Sequence, residues 1–326
     1  MTLCLGIEST AHTFGAAVLK NKKVLSNVRD TFTTESGGMI PAKVADHHVE
    51  LCDALVQEAL KEANVSITDI SLISYSRAPG IGHMLRIGCS VAKSLALHHS
   101  IPIIGVNHCI AHLEIGRMKS KAKDPILVYA SGANTQIIAY EANKYRIFGE
   151  TLDMGIGNFL DSFARHAGLG FPGGPKIDAL AKKSTEFIQL PYCVKGMDLT
   201  FGGILSNLKQ KLAKGEKLES LCFSLQETVF AMLCETAERA LAHTGKKEII
   251  LGGGVACNKR LQTMMTQMCE QRGAICYLME NEFYVDNAAM IAWLGILMQT
   301  AQKLPTVRKT TIDPYERTDD VKVTWR

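Results

Sequence analysis

Two histidines lie four residues apart in this sequence, the spacing at which a helix presents both rings on one face. His108 and His112 fall in a segment predicted to be helical, and two imidazoles so placed suit a single metal ion. Chance would supply roughly 0.3 such pairs in a chain of this length and histidine content, so the spacing also permits ordinary core or surface histidines. The adjacent pairs His47–His48 and His98–His99 point in different directions on a helix and are poorer metal candidates.

Turns rich in glycine, serine and threonine are the second feature that could bind a ligand, because their N–H groups and hydroxyls can hold phosphate oxygens. They comprise Gly6, Ser9, Thr10 and Thr13 in a first hairpin, and Ser131, Gly132, Asn134 and Thr135 in a second. A third turn, Gly252–Gly254, joins a strand to a helix and would let the backbone approach a base or a phosphate. One such turn is usually only a hairpin. The three together favour a nucleotide held between two lobes.

Three aspartates and a tyrosine are further candidates, each with an ordinary structural alternative. Asp161 and Asp178 flank the segment LGFPGGP and could accept ribose hydroxyls, or could be charges on a helix surface. Asp286 precedes the last predicted helix, where an aspartate commonly acts as an N-cap and contributes about 1 kcal/mol. Tyr129 ends a buried strand, a position typical of the core.

Predicted strands and helices alternate along the chain, and the opening layout recurs more than 120 residues downstream. The hairpin of LCLGI and FGAAVLK is followed by the strand VLSNVRDTF, and the hairpin of ILVYA and TQIIAYE by YRIFGE. This repetition predicts two lobes of related topology, each with a parallel or mixed α/β sheet. Helices are expected over about residues 42–63, 85–98, 107–116, 219–243 and 287–302, with another from about 259. LGFPGGP is expected to be a loop.

Composition excludes several classes of protein. The chain is 47% hydrophobic and 21% charged, it contains no apolar run near the ~20 residues of a membrane span, and MTLCLGIES lacks a signal peptide's basic leader. We therefore expect a cytoplasmic protein with no membrane partner. Ten scattered cysteines without a C-x-x-C pair argue against a zinc ribbon or a disulfide scaffold. A net charge of +4 and a pI of about 8.4 are too weakly basic to indicate nucleic-acid binding by themselves.

A series of motifs, taken in order, resembles one family along essentially the whole chain. They are GIESTAHT (6–13), GVNHCIAH (105–112), YASGANTQ (129–136), GETLDMGIGN (149–158), FPGGP (171–175), LPYCVKGMDLTF (190–201), SLQETVFAML (224–233), GGVACNKRL (253–261) and DNAAMIA (286–292). The family is that of the universal tRNA N6-adenosine threonylcarbamoyltransferases, once described as O-sialoglycoprotein endopeptidases. Tyr129 stands where bacterial members lack a tyrosine, so the chain resembles the archaeal and eukaryotic branch, the catalytic subunit of the KEOPS complex.

The resemblance implies the α/β fold of the actin and sugar-kinase superfamily, with a nucleotide cleft between two lobes. It places the lobes at residues 1–122 and 123–326, with the C-terminal tail packing back on the first. It implies one divalent metal ion, Fe²⁺ with Zn²⁺ or Mg²⁺ as alternatives, held by His108, His112, Tyr129 and Asp286. It also implies contacts with threonylcarbamoyl-AMP or ATP from Tyr129, Ala130, Ser131, Gly132, Ala133, Asp161, Gly174, Asp178 and Asn258.

The activity implied by the family is transfer of the threonylcarbamoyl group to N6 of the adenosine next to the anticodon, in tRNAs that read ANN codons. The implied partners are tRNA and the other KEOPS subunits, including a small atypical kinase and a small dimerising subunit. The location is the cytoplasm, and also the nucleus in a eukaryote. No residue of the sequence is assigned as a general base.

The sequence departs from the family pattern at several positions, none of them an implied metal ligand. Ala133 replaces a usual glycine, Gly202 a serine and Ile40 a histidine, and Tyr284 stands where a cysteine is usual. Three alternative functions are possible for a sequence of this kind. A metalloprotease needs H-E-x-x-H, and Cys109 occupies the glutamate position. A nucleotide-dependent scaffold would not need the metal ligands, and neither would a small-molecule kinase of the same fold.

Overall fold

The computed structural model describes residues 2–35 and 38–326 and divides them between two five-stranded sheets with flanking helices. The first sheet contains β1 (Leu3–Glu8), β2 (Thr13–Lys20), β3 (Lys23–Thr31), β4 (Leu72–Ala78) and β5 (Ile103–Asn107). Its order is β3-β2-β1-β4-β5; β1, β2 and β3 pair antiparallel, and β4 pairs parallel with β1 and with β5.

The second sheet repeats this arrangement. Its strands and a small separate hairpin are, in chain order, β6 (Ile126–Ala130), β7 (Thr135–Glu141), β8 (Lys144–Glu150), the hairpin β9 (Val194–Lys195) and β10 (Asp198–Leu199), then β11 (Glu248–Gly252) and β12 (Ile275–Tyr277). The order β12-β11-β6-β7-β8 has the same antiparallel hairpin and the same parallel neighbours as the first sheet. The predicted repetition of topology is therefore confirmed.

Helices cover the faces of both sheets. They are α1 (Pro41–Glu62), α2 (Gly82–His99), α3 (His108–Ser120), α4 (Ile156–His166), α5 (Gly174–Ala181), α6 (Gly202–Ala213), α7 (Leu218–Thr244), α8 (Lys259–Gln271), α9 (Asn281–Tyr284) and α10 (Ala288–Ala301). The helices expected from apolar periodicity are present within a few residues of their predicted ends. The sequence did not predict α4, α5, α6 and α9, and α5 begins inside the segment assigned as a glycine- and proline-rich loop.

Helix α10 packs directly on the first sheet, and Gly6 makes this possible. A Cβ atom added to Gly6 would lie 2.3 Å from the carbonyl oxygen of Ala288 and 2.8 Å from the amide nitrogen of Ala292. Gly6 was expected in a phosphate-binding turn, but it lies within β1 beneath this helix. Its small size serves close helix packing, which brings the start of α10 to the centre of the molecule.

The C-terminal segment runs along the first sheet and then reaches the second. The Tyr75 hydroxyl donates to the carbonyl of Thr311 at 2.9 Å, and Arg77 pairs with Glu316 at 2.5 Å. Further on, the Trp325 indole donates to Glu114 on α3 at 2.9 Å, and the Arg326 guanidinium lies 4.2 Å from the ring centroid of Tyr140 on β7 of the second sheet. The boundary predicted between residues 122 and 123 falls between α3 and β6, and it stays a prediction.

His48 on α1 is fully buried and holds the turn that follows β1. Its Nε2 lies 3.0 Å from the carbonyl oxygen of Ala11, and its ring packs edge-on against Phe14 with centroids 5.6 Å apart. Burial, together with the neighbouring His47, lowers the pKa of His48 to about 4. The folded protein therefore keeps this ring neutral, with Nε2–H donating to Ala11.

We expect His48 to make the protein less stable as the pH falls from about 6.5 to 4. The unfolded chain protonates this histidine near its ordinary pKa of 6.5, whereas the folded chain resists protonation until about pH 4. The stabilising contribution of His48 is complete above pH 6.5. The free energy of unfolding then falls by about 2–3 kcal/mol as the pH drops through this window. Urea unfolding of the wild type and His48→Gln at pH 7, 6, 5 and 4 measures it. Parallel pH profiles for the two proteins would contradict the assignment.

Candidate metal and nucleotide site

The two histidines project from the start of α3, directly beyond the end of β5. The side chain of Asn107 caps this helix, accepting from the amides of Cys109 at 3.0 Å and Ile110 at 3.2 Å. The cap fixes the first turn, so His108 and His112 face the same direction one turn apart. Both side chains are almost completely buried.

All four predicted metal ligands meet at this point of the structure. The Tyr129 hydroxyl, at the end of β6, lies 3.1 Å from His108 Nε2. Asp286 Oδ1, just before α10, lies 3.3 Å from Nε2 of His108 and 3.3 Å from Nε2 of His112. Residues from three separate parts of the chain thus present one nitrogen or oxygen atom each to a common point.

The chemistry and spacing of these atoms fit a divalent metal ion. At bond lengths of about 2.0–2.2 Å, neighbouring ligand atoms of one ion lie roughly 2.8–3.6 Å apart. The distances of 3.1–3.3 Å fall in this range, and the donor atoms of His108, His112 and Asp286 all lie within 4.8 Å of one another. Two imidazoles, a carboxylate and a phenol oxygen form a mixed set suited to iron or zinc.

The buried charges around the histidines are strongly coupled. Burial disfavours a charged His108, but the carboxylates of Glu8 and Asp286 outweigh it and hold the pKa of His108 well above its usual value. Burial would raise the pKa of Asp286, yet His108 holds it well below the usual range. Burial lowers the pKa of His112. A cation bound here would compete with the proton on His108, so its binding would release a proton.

The alternative role of Asp286 as a helix N-cap is wrong. The N-cap of α10 is the next residue, Asn287, whose side-chain oxygen accepts from the amide of Met290 at 3.0 Å. The Asp286 carboxylate points instead at the two histidines. Because Asp286 and Asn287 are adjacent polar residues before α10, the sequence alone is compatible with Asp286 either as N-cap or as metal ligand.

A cavity of about 470 Å³ opens beside these ligands, and Asp286 forms part of its wall. Six of the residues expected to contact the nucleotide line it, namely Ser131, Gly132, Asp161, Gly174, Asp178 and Asn258. Tyr129 and Ala130 are buried in β6 behind the wall. Ala133 is an exposed residue of the second hairpin turn and lies outside the described lining of the cavity. From the first hairpin turn, Thr13 reaches the wall.

Backbone amides at the start of α4 donate hydrogen bonds to the carbonyl groups of the second hairpin turn. Gly157 N–H donates to the carbonyl of Ser131 and Asn158 N–H to that of Gly132, both at 2.9 Å. A Cβ atom on Gly155 would lie 2.3 Å from the Gly132 oxygen, so only glycine permits this approach. Gly253 lies equally close to Ala130 and has a φ of +87°, which favours glycine for a second reason.

The acidic residues of the wall are already hydrogen-bonded to the protein. Asp161 Oδ1 accepts from the amide of Gly173 at 2.7 Å, and burial raises the pKa of Asp161. Asp178 accepts from the Asn258 side-chain amide at 3.2 Å. The oxygen of Asn258 caps α8 by accepting from Arg260 N–H at 2.8 Å. These bonds fix the side chains in place, which suits recognition of a rigid ligand.

Sequence reasoning missed several residues of the wall, above all His12, Arg29 and Phe171. The His12 and Phe171 rings meet edge-on with centroids 5.3 Å apart. The amide of Thr34 donates to the carbonyl of Phe171, and the amide of Phe171 donates to the carbonyl of Thr34, each at 3.1 Å. These two bonds join the segment after β3 to the segment before α5. His12 lies in the motif GIESTAHT and Phe171 in FPGGP. No local sequence pattern, however, indicates that a residue faces a partner across a cleft.

Solved structures of other proteins define the class to which this fold belongs. HypF from T. kodakarensis superposes with a TM-score of 0.64 at 14% identity, covering 90% of this chain and 47% of HypF. The Acidaminococcus fermentans (R)-2-hydroxyglutaryl-CoA dehydratase component A superposes with a TM-score of 0.57 at 14% identity, covering 92% of this chain and all of that protein. The protein shares the α/β fold of these two proteins, with two five-stranded sheets of related topology, and the predicted fold class is confirmed.

Proteins of similar sequence all point to one family within this fold class. Residues 23–293 match the family model for tRNA N6-adenosine threonylcarbamoyltransferase. The protein of that name from Thermococcus sibiricus is 49% identical over 324 residues, covering 99% of this chain and 100% of the relative. A probable bifunctional tRNA threonylcarbamoyladenosine biosynthesis protein from Methanosarcina mazei is 48% identical over 327 residues, and the match spans 60% of its length.

The chain belongs to the tRNA N6-adenosine threonylcarbamoyltransferase family. It is a transferase enzyme of tRNA threonylcarbamoyladenosine biosynthesis, as the sequence motifs predicted. In the described part of the chain, no helix has the length and apolar character that crossing a membrane requires.

Proposed function

We propose that the protein transfers the threonylcarbamoyl group of threonylcarbamoyl-AMP to N6 of the adenosine next to the anticodon, in tRNAs that read ANN codons. The observation that carries the proposal is Asp286, which contacts both histidines and also lines the cavity. The two contacts support the proposal because the candidate metal ligands then adjoin the cavity in which the nucleotide-bound acyl group is proposed to lie. The N6 amine forms a bond to the carbamoyl carbon and gives up one proton to water, the bond from that carbon to the phosphate oxygen breaks, and AMP leaves with the electron pair of that bond.

The proposed ligands of the metal are His108, His112, Tyr129 and Asp286, and the proposed ion is Fe²⁺. Imidazole and carboxylate suit Fe²⁺ or Zn²⁺, and a phenol oxygen favours iron over Mg²⁺. When bound, the ion supplies Lewis-acid stabilisation of charge on the reacting group. The protein's part is to hold four ligand atoms from three chain segments in fixed positions.

The nucleotide in the proposal occupies the cavity with its adenine near Gly253 and Gly254. Gly254 lines the cavity and has open space where a Cβ atom would be, so a flat base can approach the backbone. Two solved proteins with a similar fold bind nucleotides, which supports nucleotide binding as a property of this protein. HypF is described in a phosphate- and nucleotide-bound form, and the 2-hydroxyisocaproyl-CoA dehydratase activator from Clostridium difficile with bound ADPNP.

The proposed partners are tRNA and the other subunits of a KEOPS complex, among them a small atypical kinase and a small dimerising subunit. The proposed location is the cytoplasm, with the nucleus added for a eukaryotic source. The longer Methanosarcina relative, named as bifunctional, supports a partnership in which a second activity works beside this one.

Reconstitution tests the proposed activity directly. We expect threonylcarbamoyladenosine to accumulate in unmodified tRNA incubated with this protein, its partner subunits, the adenylate-forming enzyme, threonine, bicarbonate and ATP, as read by nucleoside mass spectrometry. A tRNA with guanosine in place of the target adenosine is the matched control and should stay unmodified. ATP hydrolysis by this protein alone, together with no tRNA modification in the complete mixture, would replace the transferase with a nucleotide-dependent scaffold. Cleavage of a partner protein would favour a protease.

A further inference from the structure

We propose that Glu8 is a positioning residue that fixes the tautomer of His108 and thereby presents Nε2 of this histidine to the metal. The inference rests on the proposed metal site and adds to it a residue that is not itself a ligand. Glu8 is the last residue of β1 and its side chain is completely buried. A buried carboxylate needs hydrogen-bond donors, and the donors that Glu8 uses define its role.

Both oxygens of the Glu8 carboxylate have specific partners. Oε2 lies 3.0 Å from His108 Nδ1. Oε1 accepts from the backbone amide of Thr10 at 2.7 Å and from the Thr10 hydroxyl at 2.6 Å. The Thr10 hydroxyl also lies 3.3 Å from His108 Nδ1, so the same side of the ring faces two oxygen atoms. The two carboxylate oxygens are therefore not interchangeable.

The sheet holds Glu8 and His108 in register. The strands β1, β4 and β5 run parallel, so the ends of β1 and β5 reach the same edge of the sheet. The amide of Ser9 donates to the Ser76 hydroxyl on β4 at 3.0 Å, which ties the turn after β1 to the strand between them. This rigid support keeps the carboxylate within hydrogen-bond distance of the ring.

The contact determines which ring nitrogen carries the proton. A carboxylate accepts, so His108 donates through Nδ1–H, and the neutral ring then has its lone pair on Nε2. Nε2 is the atom that faces Tyr129 and Asp286. Histidine ligands of metals commonly donate their other N–H to a carboxylate, which orients the ring and raises its basicity. His112 differs, since its buried Nδ1 has no hydrogen-bond partner within the described ranges.

An alternative assigns Glu8 only to the turn, where it would hold Thr10 without influencing the metal. The substitution Glu8→Gln separates the two roles because it preserves the shape of the side chain. Its oxygen must stay on the side of Thr10, where a backbone N–H donates. Its NH₂ group then faces His108 Nδ1 and donates to it. This selects the tautomer with a proton on Nε2, which blocks that atom as a ligand.

We expect Glu8→Gln to weaken metal binding by about 10–100-fold, the range measured when such outer partners are removed. Competition with a chelator of known affinity, using Zn²⁺ and Co²⁺ and the full chain, measures the affinity. Glu114→Gln is the matched control, because Glu114 is also a buried carboxylate and lies on α3, the helix that carries His108. Its carboxylate accepts from Arg117 at 2.8 Å and from Trp325 at 2.9 Å, and these contacts lie away from the ligands. Glu114→Gln should lower the melting temperature and leave metal affinity unchanged.

The imidazole ¹⁵N shifts of the wild-type protein loaded with Zn²⁺ give a second test that needs no variant. We expect His108 to be protonated at Nδ1 and bound through Nε2. An unprotonated Nδ1, or equal metal affinities in Glu8→Gln and the wild type, would overturn the role of Glu8 while the metal site stands. A wild-type chain that binds neither Zn²⁺, Co²⁺ nor Fe²⁺ stoichiometrically would instead overturn the proposed metal site.

Discussion

Replacement of Asp286 by asparagine is expected to abolish metal binding and transfer in a protein that still folds. The carboxylate contacts Nε2 of both histidines, so its removal takes away a charged ligand from the centre of the set. Loss of a mere outer partner costs 10–100-fold in affinity, and loss of a ligand should cost more than about 100-fold. Metal content after gel filtration and threonylcarbamoyladenosine formation by the complete system are the two measurements.

The neighbouring residue provides the control for this prediction. Asn287 caps α10 and is not among the proposed ligands, so Asn287→Ala should lower stability by about 1–2 kcal/mol and keep the metal. Asp286→Asn should show the opposite pattern, with near-normal unfolding and no metal. Retention of metal and transfer by Asp286→Asn would remove Asp286 from the site and undermine the proposed mechanism.

The two-sheet architecture could be predicted because its signals are local. The strand–turn–strand pattern at LCLGI and FGAAVLK recurs at ILVYA and TQIIAYE, and both copies form the same hairpin in the structure. The long amphipathic helices also show their period over many residues. Between β8 and α7 the signal fails, because α5 is only 8 residues long and begins with glycine and proline. Such a short helix is stabilised by packing against the long helix α7 rather than by its own sequence.

The metal ligands illustrate what local reasoning can and cannot find. The spacing of His108 and His112 pointed to a shared face on one helix, and the structure shows that face. Tyr129 and Asp286 reach the same point from β6 and from the start of α10, and no local pattern joins them to the histidines. The family resemblance supplied that connection. Glu8 is harder still, since it comes from a fourth segment and reads locally as an ordinary residue at the end of a strand.

The nucleic-acid partner is the part of the proposal that the chain's own charge supports least. A net charge of +4 over 326 residues gives a modest field. The lysines of the β2–β3 turn, Lys20, Lys22 and Lys23, are exposed, as expected of a solvated turn. Bases of an anticodon loop are unpaired and can be splayed into a site, so the target adenosine can enter the cavity without the opening of a duplex. We therefore expect most of the affinity for tRNA to come from phosphate contacts, many of them on the proposed partner subunits.

We therefore expect the isolated chain to bind tRNA weakly and with strong salt dependence. With about four phosphate contacts, counterion release would reduce affinity roughly 100-fold between 50 and 200 mM salt. A tRNA that lacks the target adenosine should bind the isolated chain equally well, because phosphates carry no sequence information.

Partner subunits should tighten tRNA binding and switch on transfer, because they extend the basic surface while this chain contributes the cavity. Affinity and turnover measured against salt, with and without the partners, separate the two contributions. The Glu114→Gln variant should behave as the wild type in these measurements below its melting temperature, since the contacts of Glu114 lie away from the metal ligands. Tight binding at physiological salt and full turnover by the isolated chain would show that this protein recognises and modifies tRNA alone.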